Sequence, residues 1–358
     1  MGKLRRPRIA LVAPSLDILG GQGVQARTLA ELLEGEGYDV TFVPINPRFP
    51  AGLEGLRRLR YVRTVFNEAL YLSGLRRLRR CDVAHVFAAS YWSFLLAAAP
   101  AILAGRHLGK RVVLNYHSGE ADDHLARWGM LVHPWLRAAH EIVVPSEYLR
   151  AVFARHGYRV RVVRNVLGLS RFTYRERCPL SLRLLSTRNL ESHYQVENTI
   201  EAFAMLRKRH PQATLTVAGY GSEEGRLRAL ARALCDGGVR FLGRVEPSGI
   251  PRLYESCDIY VNASVVDNQP LSLLEAFAAG LPVVSTPTGD IAAMVRGGEM
   301  GLLVPAKDPA AIASAVESLL DHPDRALLMA RRARQAVEAY GWQQVRQAWA
   351  AVYAGEAS

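Results

Sequence analysis

The chain has 358 residues, 49% of them apolar, and a formal net charge of +12 at pH 7. A chain of this length usually folds as two domains, and its apolar share is ample for two hydrophobic cores. The positive charge favours anionic partners, namely phosphorylated small molecules or lipids, acidic membrane surfaces or nucleic acid, and it does not choose among them.

Cysteine spacing and hydropathy exclude further classes of protein. Cys81, Cys178, Cys235 and Cys257 are far apart and form no Cys-x-x-Cys pair, which argues against a zinc site and a disulfide scaffold. The short apolar run near the N-terminus does not predict a signal peptide, and the longest apolar stretch, residues 94–105, is too short to span a bilayer. We therefore expect a cytoplasmic protein, either free or peripheral on the inner membrane face.

The first 43 residues have the pattern of a strand, a helix and a second strand, with a glycine-rich loop from residue 14 to Gly23. Glycines there allow the backbone to approach a phosphate closely. Gly21-x-Gly23-x-x-Ala26 also fits a dinucleotide fingerprint, but the glycines lie well beyond the first strand and no acidic residue ends the second. We prefer a loop that contacts a diphosphate or an acceptor.

A basic helical pattern covers residues 53–80 and mixes arginine with leucine, valine and phenylalanine. The simplest interpretation is a solvated helical face. The alternative is a basic amphipathic surface, Arg57–Arg80, that docks on anionic lipid. No nucleic-acid reader motif accompanies it, so we do not expect a nucleic-acid partner.

Residues 83–87 and 112–114 predict two more strands, and the second leads directly into His117. A histidine at the carboxyl end of a strand is well placed for a ligand cleft, although a hydrogen-bonded structural histidine fits as well. The chain has no Asp-x-Asp pair, which argues against a divalent cation held against a diphosphate. The polar residues that follow form either an acceptor-side cluster or a surface loop: Glu120, Asp122, Asp123 and His124.

The second half of the chain repeats the alternation of strand and helix from residue 182 onward, after a polar, irregular segment that predicts the interdomain linker. We expect an N-terminal domain over residues 1–170 and a C-terminal domain over residues 180–340. The tail from Asp324 to Tyr353 is predicted to be helical, and its last part, about residues 341–358, to pack back on the first domain.

Residues 258–289 predict a strand, a polar loop, a helix over Leu271–Ala279 that Gly280 ends, and a further strand. In parallel sheets, ligands lie beyond the carboxyl ends of the strands. The start of the helix offers free N–H groups to a phosphate, and a nearby carboxylate can accept two hydrogen bonds from a ribose diol. The stretch therefore predicts a nucleotide site.

Arg188 lies just beyond the first strand of the second half, where a guanidinium can bind a diphosphate bidentately. An ordinary loop arginine is the alternative. Gly219-x-Gly221 follows the next strand and can shape the same cleft.

Both halves together resemble the family-four glycosyltransferases over nearly the whole chain. The motifs that carry the resemblance are LTVAGYGSEEGRL, VRFLGRV, LYESCDIYVNAS, LLEAFAAGLPVVSTPTGD and GLLVPAKDPAAIASAV. The resemblance implies the GT-B fold, an α/β fold in which two doubly wound Rossmann-like domains face each other across a cleft. It also implies a retaining enzyme.

The resemblance implies roles for individual residues. The family's acid-x7-Glu pair falls on Asp267, where glutamate is usual, and Glu275, which binds the ribose. The family's arginine falls on Arg188, but His193 or Tyr194 occupies the region of its diphosphate-facing lysine. The predicted catalytic residues are His117, Arg188 and Asp267, and the predicted donor-binding residues are Gly21, Gly23, Arg188, His193, Gly219, Gln269, Pro270, Leu271, Ser272 and Glu275.

We therefore expect a retaining glycosyltransferase that moves a sugar from a nucleotide-sugar to a lipid-linked or polysaccharide acceptor, in cell-envelope or exopolysaccharide synthesis. No cofactor or metal is expected. Two alternatives stay open: a nucleotide-sugar epimerase of the same fold, and a non-catalytic nucleotide-sugar-binding protein, which the missing lysine and the Asp267 substitution suggest.

Overall fold

The computed structural model of the protein describes residues 6–15, 20–50, 52, 59–235 and 237–356. The chain divides into two compact units, a first unit of Met1–Val166 with Val345–Ser358 and a second unit of Leu167–Gln344. Each unit has one parallel sheet with six strands among the described residues. The predicted α/β class is confirmed.

The sheet of the first unit has the strand order β2-β1-β3-β4-β5-β6. Its strands are β1 (Ile9–Ala13), β2 (Val40–Pro44), β3 (Val83–Ala88), β4 (Arg111–Tyr116), β5 (Glu141–Val144) and β6 (Arg161–Val162). The chain proceeds from β1 to β2 on one side and then continues from β3 on the other. The strand order therefore reverses between β1 and β3, and such a switch point is where open α/β sheets bind ligands.

Helices cover both faces of this sheet. They are α1 (Gly21–Gly35), α2 (Arg60–Gly74), α3 (Tyr91–Ser93), α4 (Ala99–His107), α5 (Ala121–Ala138), α6 (Glu147–Arg155) and α14 (Trp342–Ala354). Every residue of β1 and β3 is buried, as expected for parallel strands that are covered on both sides. On one face, Tyr71 and Phe94 from the α2–α4 region pack in the core. On the other, Trp349 of α14 packs 4.8 Å from the ring of His85.

The sheet of the second unit has the strand order β12-β11-β10-β7-β8-β9. Its strands are β7 (Arg183–Ser186), β8 (Thr214–Ala218), β9 (Val239–Gly243), β10 (Ile259–Asn262), β11 (Val283–Ser285) and β12 (Leu302–Leu303). The helices are α7 (Val196–Arg209), α8 (Glu224–Leu234), α9 (Ile250–Ser256), α10 (Leu271–Ala279), α11 (Ile291–Met294), α12 (Pro309–Asp321) and α13 (Pro323–Val337). Here the strand order reverses between β7 and β10.

One local prediction is wrong, and the structure excludes one of two alternatives for another segment. The basic segment is not one helix in its described part, because α2 ends at Gly74 and a 3-10 turn, Leu75–Arg80, carries most of the arginines there. Arg57 and Arg58 lie outside the described residues. The tail is helical as predicted, in two helices, α13 and α14, that a 3-10 turn, Glu338–Tyr340, separates. The polar residues after His117 do not form a surface loop, because Glu120 precedes α5 and Asp122, Asp123 and His124 lie in its first turn, where His124 is buried and the three acidic side chains are exposed. Within the described residues, no helix has both the length and the apolar character that crossing a membrane requires.

Candidate functional site

The switch point of the second unit brings three predicted site residues together. Arg188 lies two residues beyond β7, and Asp267 and Ser272 follow β10, which is paired with β7. Nη2 of Arg188 donates to Oδ2 of Asp267 at 2.5 Å, and Nη1 donates to Oγ of Ser272 at 3.0 Å. Adjacent strand ends thus place an arginine, a carboxylate and a hydroxyl in one cluster, which we call the Arg188 cluster.

The guanidinium of Arg188 is nearly buried, with 8% of the residue exposed. Burial lowers the pKa of Arg188, but the negative charge of Asp267, with smaller contributions from nearby tyrosines, outweighs it, so the pKa is raised overall. The Cζ atom of Arg188 also lies 4.2 Å from the ring centre of Tyr194, within the range of a cation–π interaction. Arg188 therefore keeps its positive charge in a poorly solvated place, with Asp267 as its counter-ion.

Glycines shape the support beneath Arg188. A Cβ atom on Gly219 would lie 2.0 Å from the carbonyl oxygen of Arg188, and one on Gly221 would lie 2.3 Å from that of Leu190. The two loops are joined by a hydrogen bond from the N–H of Leu190 to the carbonyl of Tyr220, at 3.0 Å. Only glycine permits this approach, so Gly219 acts on the site through the backbone of Arg188.

The N-terminus of α10 points its free N–H groups toward the same edge. Pro270 is the residue immediately before the helix, and Leu271 and Ser272 open it. The first N–H groups of a helix have no partner within it and carry a partial positive charge. Gln269 is anchored by donating from Nε2 to Asp290 at 3.1 Å. The predicted residues 269–272 therefore lie together at one helix start beside the Arg188 cluster, and a helix start is the kind of element that binds anions.

A second loop holds Asp267 in place. Gly289 has a φ of 60°, and a Cβ atom there would lie 2.4 Å from the carbonyl oxygen of Asp267. The N–H of Asp290 donates to the carbonyl of Asn268 at 2.9 Å. The N–H of Asn268 itself donates to Oδ1 of Asp267 at 3.0 Å. The carboxylate of Asp267 is thus oriented by backbone contacts as well as by Arg188.

Glu275 lies one turn further along α10, and its surroundings change its acidity. Burial raises the pKa of Glu275 to about 7, although the hydroxyl of Tyr254 and the charges of Arg171 and Arg188 act in the opposite direction. Near neutral pH this side chain therefore keeps its proton more readily than an exposed glutamate does. It can accept hydrogen bonds from a diol when ionised, as the predicted ribose contact requires.

Two residues around Glu275 were missed by the sequence analysis. The hydroxyl of Tyr254 lies 2.9 Å from Oε2 of Glu275 and 2.8 Å from Oγ of Thr187. Tyr254 is fully buried, and its hydroxyl also reaches the carbonyl oxygen of Ser272 at 2.9 Å. The signals were present in the sequence, because Tyr254 belongs to the LYESCD motif and Thr187 precedes Arg188.

The histidine that stands in the region of the expected lysine is placed at the surface. His193 lies in the 3-10 turn Ser192–Tyr194 and is exposed. Its ring packs 4.1 Å from that of Tyr194, and its carbonyl accepts the N–H of Val265 at 2.9 Å. Of the two residues in that region, Tyr194 is the one that contacts the guanidinium of Arg188.

The predicted residues of the first unit lie at the carboxyl edge of its sheet. Gly21 opens α1 and Gly23 lies in its first turn, so the helix starts earlier than predicted and the two glycines are helical. Gly20, the residue before the helix, has no side chain with which to cap it. The side chain of Gln22 donates to the carbonyl of Ala88, at the end of β3, at 3.2 Å. The start of α1 therefore lies at the switch point of this sheet.

His117 follows β4 on the same edge. Its ring stacks on the ring of Phe87, with 5.2 Å between the ring centres. The backbone N–H of His117 donates to the carbonyl of Ala88 at 3.0 Å. Burial lowers the pKa of His117 to about 4, so the imidazole is neutral at physiological pH. His117 can therefore take part in hydrogen bonding and does not act as a cation.

Each unit of the chain matches a model of a known protein family. A model described as "Glycosyltransferase Family 4" matches residues 19–171, and one described as "Glycosyl transferases group 1" matches residues 182–322. The two matches together span most of the chain.

The chain belongs to the family-four glycosyltransferases. It is an enzyme that transfers sugars, as the sequence predicts, and the non-catalytic alternative is not supported.

Among relatives of this glycosyltransferase, glycogen synthase of Mycobacterium tuberculosis is 29% identical over 94% of this chain and 91% of its own length. D-inositol 3-phosphate glycosyltransferase of Corynebacterium jeikeium is 36% identical over 40% of this chain and 36% of its own. Phosphatidyl-myo-inositol mannosyltransferase of Mycobacterium leprae is 36% identical over 36% of this chain and 34% of its own.

Solved structures confirm the GT-B fold of the glycosyltransferase. Sucrose-phosphate synthase from Thermosynechococcus elongatus aligns with a TM-score of 0.78 over 98% of this chain and 99% of that one, at 21% identity. Anabaena Alr3699/HepE in complex with UDP-glucose aligns with a TM-score of 0.75 over 98% and 100%, at 17% identity. In the described part of the chain, no group of three or more His, Cys, Asp or Glu side chains is placed to hold a metal ion.

Proposed function

We propose that this glycosyltransferase moves a sugar, with retention of anomeric configuration, from a nucleotide-sugar to a lipid-linked or polysaccharide acceptor of the cell envelope. The observation that carries the donor assignment is the Arg188 cluster beside the N-terminus of α10, at the switch point of the second sheet. A buried guanidinium and a helix start are both groups that bind phosphate.

The donor is proposed to bind by its diphosphate. Arg188 is paired with Asp267, so a diphosphate competes with that carboxylate for the guanidinium. Once Arg188 turns to the diphosphate, Asp267 can accept a hydrogen bond from the donor sugar. Glu275 accepts the ribose hydroxyls from its place one turn along α10. In this arrangement Asp267 binds the sugar of the donor and Glu275 binds its nucleotide.

The transfer step breaks the bond between the anomeric carbon and the diphosphate oxygen and forms one to the acceptor oxygen on the same face. The proton of the acceptor hydroxyl passes to the departing diphosphate. The positive charge of Arg188 and the N–H groups of residues 271–272 stabilise the charge that develops on the leaving group, and no metal or other cofactor takes part. His117 and the start of α1 are proposed to contact the acceptor or the donor sugar.

Substitution of the two donor contacts tests this assignment. We expect Arg188→Ala to lower the turnover number at least about 100-fold, because a buried group that stabilises the leaving charge is removed. We expect Glu275→Gln to weaken nucleotide binding because its ribose acceptor is lost. UDP-glucose, which HepE binds in its solved complex, is the first donor to test. Product formation is followed by chromatography.

Arg232→Ala, an exposed arginine on α8, is the matched control and should retain activity. Circular dichroism verifies that each variant is folded. Donor turnover that survives in both Arg188→Ala and Glu275→Gln would show that the site is elsewhere. Conversion of the donor to an epimer without any acceptor would favour the epimerase.

We also propose that the first unit binds at the inner membrane face, where a lipid-linked acceptor resides. The outward side of α2 carries large apolar side chains: Tyr61 is 81% exposed and Val65 is 71% exposed. The inward side is fixed by Phe66, which packs on Phe49 at 4.9 Å. Exposed arginines follow in the 3-10 turn Leu75–Arg80. An apolar helix face with adjacent arginines is the pattern of interfacial binding to anionic lipid.

Vesicle sedimentation tests the membrane proposal. We expect the protein to pellet with anionic vesicles and not with neutral ones, and added salt to weaken the binding because it screens the arginines. Arg76→Ser with Arg80→Ser should reduce pelleting, whereas Arg127→Ser with Arg150→Ser, an equal loss of charge on α5 and α6, should not. Equal pelleting with both kinds of vesicle contradicts the proposal.

A further inference from the structure

We propose that the first unit has a second anion site, a groove at the amino ends of β4, β5 and β6 that binds a multiply charged ligand carrying phosphate groups. We call it the amino-edge groove. The inference is independent of the donor chemistry, because donor and acceptor are expected at the carboxyl edges of the sheets.

The groove is large enough for a small ligand. Its volume is about 790 Å³, within the usual range of ligand sites. The starts of three strands form its floor, at Arg111, Glu141 and Arg161. The end of α5, the segment that follows α6 and the C-terminal residues 355–356 form its walls.

Positive charge exceeds negative charge on the floor. Nη2 of Arg111 donates to Oε2 of Glu141 at 2.5 Å, and Arg161 bonds the other oxygen of the same carboxylate. One carboxylate therefore neutralises only one of two guanidinium groups. Arg111 and Arg161 are further fixed by the carbonyl oxygens of Val352 and Glu356, so their positions are preset for a ligand.

The walls of the groove carry further positive charge that a bound anion can contact. Arg137 at the end of α5 and Arg159 after α6 both line the groove and are exposed. Tyr158 belongs to the same lining, and its hydroxyl is 2.8 Å from Nδ1 of His133. The acidic residues in the lining are Glu141 and Glu356, against four arginines. Guanidinium groups bind phosphate oxygens bidentately, so four arginines in one groove match an anion with more than one phosphate.

The pKa values of two histidines that line the groove depend on the charges around them. Burial lowers the pKa of His133, and the charges of Arg137 and His156 lower it further. Burial likewise lowers the pKa of His140, with contributions from Arg106 and Arg111. A bound polyanion adds negative charge beside both rings and should raise both pKa values.

Histidine NMR with inorganic tripolyphosphate tests the proposal on the full-length protein. We expect tripolyphosphate to shift the resonances of His133 and His140 and to raise both pKa values, with assignments from His133→Gln and His140→Gln. The Arg137→Ser, Arg159→Ser double variant should bind at least about tenfold more weakly. Arg127→Ser with Arg150→Ser removes the same charge from α5 and α6 outside the groove and should bind as the unmodified protein does.

The same variants show whether the ligand is a free phosphate compound or a phospholipid. They also show whether it binds in the groove or at the donor site. Tripolyphosphate and vesicles containing phosphatidic acid are compared in the Arg76→Ser, Arg80→Ser background, which removes arginines proposed to bind anionic lipid elsewhere. Binding of either ligand that is lost only when the groove substitutions are added supports the site. Saturating UDP occupies the donor site and should leave the histidine shifts unchanged. Absence of shifts at both histidines, or equal weakening in the groove and control variants, overturns the proposal.

Discussion

Glu275 is the residue whose chemistry depends most on its surroundings. A glutamate on an exposed helix would be fully ionised at neutral pH, yet burial raises the pKa of this one to about 7. Tyr254 opposes that shift, because its hydroxyl at 2.9 Å stabilises the charged form. The acceptor capacity of Glu275 is therefore adjustable near physiological pH, and neither the helix nor the motif around it predicts this.

The raised pKa of Glu275 gives a prediction about stability. Between pH 4.5, the ordinary value, and about 7, the folded protein keeps a proton that the unfolded chain has released. The stabilisation that this retained proton gives the folded protein is thus fully present below pH 4.5 and is lost as pH rises through about 7. We expect the free energy of unfolding, measured with urea between pH 5 and 8, to fall more in the unmodified protein than in Glu275→Gln.

Tyr254→Phe provides the second variant. Removing the hydroxyl removes a hydrogen bond that lowers the pKa of Glu275, so the decline in stability should extend to higher pH. Parallel pH dependence in the unmodified protein and Glu275→Gln would show that Glu275 is ionised throughout this range.

At the scale of elements, the site depends on close contact between loops at the carboxyl edge of the second sheet. The loop after β8 supports Arg188 through Gly219, and the loop after β11 supports Asp267 through Gly289. α10 begins between them, with bounds of Leu271–Ala279 that match the prediction, and ends at Gly280 in the left-handed conformation. Glycine is therefore required at positions 219 and 289 because another backbone segment packs closely there, and not only because a ligand could bind nearby.

Gly219→Ala tests this support. The new methyl would lie 2.0 Å from the carbonyl oxygen of Arg188, so the loop must move and the guanidinium must move with it. We expect a loss of about 1–3 kcal/mol in the free energy of unfolding, together with reduced sugar transfer. Urea denaturation and the chromatographic assay measure the two effects.

Gly225→Ala is the matched control, because Gly225 lies in α8 with nothing within 4 Å of an added Cβ atom. Alanine is favoured over glycine inside a helix, so this variant should gain about 0.5–1 kcal/mol. Equal behaviour of the two variants would contradict the contact between Gly219 and Arg188.

At the scale of the whole molecule, the first unit is assembled from both ends of the chain. Trp349 of α14 is 3% exposed and packs 4.8 Å from His85 of β3, and the hydroxyl of Tyr353 bonds Nδ1 of His85 at 2.9 Å. Burial and the nearby His117 lower the pKa of His85 to about 3, so this ring is a neutral part of the core. The C-terminal helix therefore completes the N-terminal core.

Trp349→Ala should destabilise the first unit by about 3–5 kcal/mol, because a buried aromatic ring is replaced by a cavity. Trp92→Ala removes the same side chain from a position that is 66% exposed and should change stability by less than about 1 kcal/mol. Urea denaturation measures both. Similar losses in the two variants would show that α14 does not contribute to the core.

Much of this architecture was available from the sequence. The strand–helix alternation, the helix Val196–Arg209 and the helix Leu271–Ala279 follow from apolar periodicity and from stop residues such as Gly280, which act over a few neighbouring positions. The motifs of the second half identified the family. Arg188 and Asp267 were both assigned to a carboxyl edge, because that placement needs only the end of each strand.

Tertiary structure alone decided which of these residues meet. Arg188 and Asp267 are 79 positions apart, and they pair because β7 and β10 are neighbours in the sheet. Strand order results from the packing of both sheet faces, which no local pattern specifies. The same holds for the raised pKa of Glu275 and the apolar outward side of α2, because burial is a property of the folded chain. The sequence determined the elements and their chemistry, and packing determined their partners.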